Sequence, residues 1–146
     1  MADWRRRTKG DADRATAVVE WSCAGRQVKL EQGTVSNALD LGRTVWDGCL
    51  ILTAYFDHQP NALTDWSAKT FVELGAGTGL LSIYAALRGG RRVVATDRNH
   101  RAVLELLRRN LDANGCAQVE VVDHLWGSPP SDSLGGPFDV AMVRGG

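Results

Sequence analysis

The residues best spaced for chemistry are Glu73-Leu74-Gly75-Ala76-Gly77-Thr78-Gly79. Three glycines at alternate positions leave no Cβ to hold a ligand away, so backbone N–H groups and the positive end of a following helix can face a polar or charged group. The pattern predicts a small-molecule site, against the plainer reading of a tight turn that packs a helix on a sheet. Its register is informative. A dinucleotide fingerprint needs G-x-G-x-x-G, and counted from Gly75 the third glycine would fall where the chain has Leu80. A nicotinamide cofactor is therefore disfavoured, and only NAD binding would revive it. Three more positions could serve such a site. Asp97 follows the glycines at about the distance where these folds place an acid that accepts hydrogen bonds from both ribose hydroxyls, its other reading being a helix N-cap. Trp126 stands where a ring could stack on a base, and Trp46 could wall a pocket or simply pack in the core. His124 has no second ligand or nucleophile spaced to use it and reads as a loop histidine.

The elements that must position these residues are legible around them. Phe71, Val72 and Leu74 read as a strand buried on both faces, followed by a helix from Thr78 to Arg88 with Leu80, Ile83, Tyr84 and Leu87 on one stripe. Val93 to Thr96, ending in Asp97, is a second strand. Arg101 to Ala113 is an amphipathic helix that stops at Asn114-Gly115, with Arg101, Arg108 and Arg109 on its solvated face. Val119 to Val122 and Phe138 to Val143 are a third and a fourth strand, with Gly127 to Pro137 an irregular surface loop. This order predicts an α/β fold: a Rossmann-like, partial doubly wound parallel sheet in the order 3-2-1-4. Ahead of it, alternation from Ala17 to Gln32 about Ala24-Gly25 predicts an N-terminal β-hairpin. A buried helix should run from Val45 to about His58, with Thr44 and Asp47 at capping-box spacing, and Asn61 to Lys69 reads as linker. The division is residues 1–42 as tail and hairpin, and 43–146 as the main domain.

Composition bounds the rest. The chain has 146 residues, with Lys plus Arg and Asp plus Glu both at 17, so no basic excess points to nucleic acid. Cys23, Cys49 and Cys116 are odd in number and lack CxxC spacing, which argues against a disulfide framework or a metal site and for a reducing, cytoplasmic setting, the nucleus included. No apolar run reaches the roughly 18 residues of a membrane span. The basic run after Trp4, Arg5-Arg6-Arg7 and Lys9, is too short and terminal to be given a function.

Taken together these residues resemble one family, the seven-strand protein-lysine methyltransferases of methyltransferase family 16, within the class I S-adenosylmethionine-dependent enzymes. The resemblance runs from about Arg43 to Asp139 and rests on V-W-D-G at Val45 to Gly48, E-L-G-A-G-T-G-L at Glu73 to Leu80, T-D-R at Thr96 to Arg98, R-N-L-D-A-N at Arg109 to Asn114, W-G at Trp126 and F-D at Phe138. The glycine motif marks the superfamily; V-W-D with W-G narrows it. The resemblance implies S-adenosyl-L-methionine as cofactor, held by Trp46, Gly75, Ala76, Gly77, Asp97 and Trp126, with Glu73 near the methionine amino group. It implies a protein substrate, of chaperone or translation elongation factor type, and no side chain acting as nucleophile. In that family an Ala-Asp-x-x-Tyr type segment and three more strands follow, where this sequence reads Val143, Arg144, Gly145, Gly146. A truncated product is therefore expected, inactive by itself. The competing class is a module that holds the cofactor or a partner without turnover.

Overall fold

The computed structural model describes residues 18–33, 38–98 and 100–143. The N-terminal basic run and Arg144 to Gly146 lie outside the described residues. Strands β1 (Val18–Cys23) and β2 (Arg26–Glu31) pair antiparallel, Trp21 opposite Val28, about a turn in which Ala24 and Gly25 both have positive φ. A left-handed alanine costs about 1–2 kcal/mol. Here the Ala24 N–H donates to both oxygens of the Asp57 carboxylate, which anchors the strained turn. The alternation places Val19, Cys23, Val28 and Leu30 inward, and all four join the core that the helices share.

Helix α1 spans Asp47–His58, β3 Thr70–Leu74, α2 Leu80–Leu87, β4 Arg92–Asp97, α3 Arg101–Ala113, β5 Glu120–Asp123 and β6 Val140–Val143. Strands β3 to β6 form one parallel sheet in the order β5-β4-β3-β6, the expected 3-2-1-4. Alternate residues divide the sheet. Phe71, Val93, Ala95 and Met142 face the core built with Leu50 of α1, Ile83 of α2 and Leu107 of α3. Val72, Val94 and Val122 face the other way, where Leu134 and Phe138 cover them.

Three expectations need correction. The capping box before α1 does not form: Trp46 is the N-cap residue without a side-chain cap, and the Thr44 hydroxyl instead donates to Gln32. The Asn61 to Lys69 stretch is more than linker, because Trp66 is buried, stacks on Phe71 at 5.1 Å and lies edge-on to Tyr84 and Phe56. The Gly127 to Pro137 connection is not wholly a surface loop. Its 3-10 turn Asp132–Leu134 presses Leu134 onto the second sheet face. Arg92 fastens this loop: it is bidentate to Glu120 at 2.8 Å, donates to the Leu134 carbonyl and lies over the Phe138 ring.

Candidate functional site

The site forms where β3 and β4 end at the sheet's carboxyl edge. After β3 the chain must reverse into α2 within five residues, and Gly75, Gly77 and Gly79 supply φ values of +73°, +55° and +90°, which only glycine adopts without strain. The turn is closed from inside. Ala76 N–H donates to the Thr96 carbonyl, Gly77 N–H to Asp97 Oδ2 and Gly79 N–H to the Ala76 carbonyl. These three donors are therefore spent on the turn itself, contrary to the expectation that they would face a ligand. What the glycines provide is close approach.

Glu73 supports the same turn from below. It is fully buried, and its Oε2 accepts the backbone N–H and the hydroxyl of Ser82 in the first turn of α2. A carboxyl group thus already occupies the helix N-terminus, where a phosphate would otherwise be drawn by unpaired N–H groups and the helix dipole. Glu73 is not among the residues that line the cleft, and through Oε2 it braces the glycine turn against the first turn of α2. The arrangement also disfavours a pyrophosphate, which agrees with the register of the glycines.

Asp97 is the centre of the site. It is 7% exposed, and its two oxygens accept the Gly77 and Arg98 N–H groups, each at 2.8 Å. An ionised carboxylate has about four lone-pair directions, so two remain for a ligand's hydroxyls. The N-cap alternative fails, since His100 is the N-cap residue of α3. Around Asp97 lies a cleft of about 370 Å³ lined by Leu41, Gly42, Gly75, Asp97, Arg98, His124, Leu125 and Trp126.

Of the residues singled out in the sequence, Gly75, Asp97 and Trp126 meet on this wall. The Trp126 indole lies against Gly75, where a Cβ would come within 3.1 Å of its Cζ2, yet 59% of the residue remains exposed. That leaves an aromatic face available to a flat ligand. Ala76 and Gly77 stand behind the wall. Trp46 is not among the lining residues; its Nε1–H donates to the Leu41 carbonyl at 3.0 Å, so it holds the wall that Leu41 and Gly42 make. Sequence reasoning missed the 3-10 helix Ala38–Arg43 and gave His124 no place in the site. The signal for Gly42 is steric, a Cβ there lying 3.2 Å from Val103 and 3.8 Å from Asp97 Oδ2, and no local pattern announces it. His124 reaches the wall because its N–H donates to the Asp97 carbonyl, continuing the β4 to β5 ladder.

Among the described residues no group of three His, Cys, Asp or Glu is placed to hold a metal ion. No described helix is long and apolar enough to cross a membrane. Away from the cleft, Cys23 is buried beside Asp57, and desolvation first, then that carboxylate, pushes its thiol up to about 12. Such a thiol is inert as a nucleophile.

A family profile described as lysine methyltransferase matches residues 24–143. The chain is 38% identical over 108 residues to the protein N-lysine methyltransferase METTL21A of Mus musculus, covering 71% of this chain and 47% of that protein. To EEF1A lysine methyltransferase 3 of Xenopus tropicalis it is 34% identical over 103 residues, covering 70% and 43%. The chain thus spans less than half the length of these two relatives. In fold it is similar to a structure assigned as a methyltransferase and complexed with S-adenosylhomocysteine (SAH), at 17% identity and a TM-score of 0.52, over 77% of this chain and 27% of that one.

Proposed function

The chain belongs to the lysine methyltransferase family, and we propose that its cleft binds S-adenosylmethionine and that the protein serves to methylate a lysine side chain of another protein. The observation that carries this reading is the Asp97 carboxylate, held by two backbone N–H groups at the wall of a cleft that Trp126 also lines, with two acceptor directions remaining. Asp97 takes the ribose hydroxyls, Trp126 the adenine face, and Gly75, with Ala76 and Gly77 behind it, lets the ligand approach the backbone. Glu73 and Trp46 act one layer back, through the α2 N-terminus and Leu41. The cofactor supplies an activated methyl on a sulfonium, and its transfer to an amine forms an N–C bond as the S–C bond breaks, leaving a neutral thioether. No protein nucleophile is needed, so orientation against the incoming amine supplies much of the rate.

For the substrate, the relative whose name specifies elongation factor 1A makes that protein the first candidate, with chaperones the second class. The test is transfer of labelled methyl from S-adenosylmethionine to purified elongation factor 1A, located by mass spectrometry. Label on a lysine supports the reading, and label on another residue type refutes it. A second reading, a module that holds cofactor without turnover, is favoured by one observation: among the described residues none of those lining the cleft belongs to β6. It predicts SAH binding with no label transferred.

A further inference from the structure

Helix α3 presents one stripe to the back of the site. Its members are Val103, Leu107, Asn110 and Asn114, spaced four, three and four apart, the interval that keeps side chains on a single helix face. Each supports a different segment. Val103 packs on Gly42 of the cleft wall, and Leu107 on Gly79, where a Cβ would lie 2.6 Å from its Cδ1. The last two read the backbone of β2 as a neighbouring strand would. Asn114 accepts from the Lys29 N–H and donates to the Lys29 carbonyl, and Asn110 does the same at Glu31, two residues on.

Asn110 does one thing more. Its second N–H donates at 3.0 Å to the carbonyl of Thr78, between the last two glycines of the turn. At 1% exposure a leucine would pack there without the cost of burying an amide, and that cost is met only because all three hydrogen bonds are made. Asn114 spends its second N–H on its own helix, at the Asn110 carbonyl. Two asparagines with the same grip on the hairpin therefore differ in burial, Asn114 being half-buried at the helix C-cap, and in the bond to the glycine turn, which Asn110 alone makes.

We propose that Asn110 is a positioning residue for the cofactor turn, tying the Thr78 carbonyl to the β2 edge so that the N-terminal hairpin and the glycine turn behave as one body. The hairpin is then part of the site's support. The ligand consequence rests on the proposed cofactor function; the mechanical consequence does not.

Native-state hydrogen exchange on the full chain tests the mechanics, and SAH calorimetry tests the consequence. Asn110→Leu, or Asn110→Ser should the leucine variant fail to fold, should speed exchange at the Gly77 and Gly79 amides at least tenfold and weaken SAH at least tenfold. Asn114→Ala, which releases Lys29 but keeps the Glu31–Asn110–Thr78 link, should change both far less than the Asn110 variants do, although it too lowers the melting temperature. Unaltered exchange at Gly77 and Gly79 in the Asn110 variants would overturn the proposal, and so would equal loosening by Asn114→Ala. Wild-type chain that binds no SAH refutes the cofactor reading instead, with the exchange result still deciding the brace.

Discussion

Replacing Asp97 by alanine removes two different things, and the structure separates them. The first is internal. The Gly77 N–H, buried beneath the turn, loses its acceptor, while the half-buried Arg98 N–H can turn to water. An orphaned buried donor costs about 1–3 kcal/mol, so Asp97→Ala should melt about 3–10 °C below wild type for a chain of this size. The second is a pair of ribose hydrogen bonds to a charged acceptor, worth about 1.5–3 kcal/mol each, so SAH affinity should fall at least about tenfold. A looser turn could by itself weaken binding, so the decisive assay is a cycle. Calorimetry compares SAH with its 2′,3′-dideoxyribose analogue on both proteins. Wild type should lose at least about tenfold when the hydroxyls go, and Asp97→Ala should lose almost nothing, since their partner is already absent. Equal losses in the two proteins would refute the ribose contact and leave Asp97 as a brace for the glycine turn.

Trp66→Ala empties the centre of the aromatic cluster with Phe71, Tyr84 and Phe56 and should cost about 3–5 kcal/mol in urea unfolding, whereas a true linker residue would cost under about 0.5 kcal/mol. Gly79→Ala forces a side chain to φ +90° with its Cβ on Leu107 and should lose about 1–2 kcal/mol, because the leucine end can yield but the backbone cannot; an unchanged unfolding midpoint would contradict the turn geometry. Asp139 accepts the backbone N–H of Thr70 and then its hydroxyl, and these bonds hold its carboxyl below the ordinary value of 3.8. Its contribution is therefore present above the ordinary carboxylate value and is lost as pH falls through the lower folded-state value, so the melting gap between wild type and Asp139→Asn should be open at pH 7 and narrow as the solution is acidified below that ordinary value. A gap independent of pH would show that the carboxylate charge plays no part.

The sheet order, the hairpin and α3 were legible because their signals are local: alternation, buried apolar runs and an amphipathic stripe ending at Asn114-Gly115. Asp97 was legible because its distance from the glycines is set by one helix and one strand. What escaped notice depends on long-range closure. Trp66 sits in a stretch rich in turn residues, and only the arrival of Phe71 and Tyr84 buries it. Gly42 and Leu41 reach the cleft through packing on α3 and the Trp46 indole, contacts that no spacing encodes. The resemblance places Glu73 near an amino group, while strand alternation turns its side chain toward Ser82 and the helix N-terminus, a contact set by the packing of α2 on β3.

The central claim is that this cleft is shaped for S-adenosylmethionine and not for a dinucleotide, and one titration tests it most directly. SAH and NAD are each titrated by calorimetry into the wild-type chain of 146 residues at the same concentration and salt. The account predicts saturable SAH binding at one site per chain and no heat from NAD, whose pyrophosphate would meet a helix N-terminus already occupied by Glu73. NAD binding without SAH binding would contradict it.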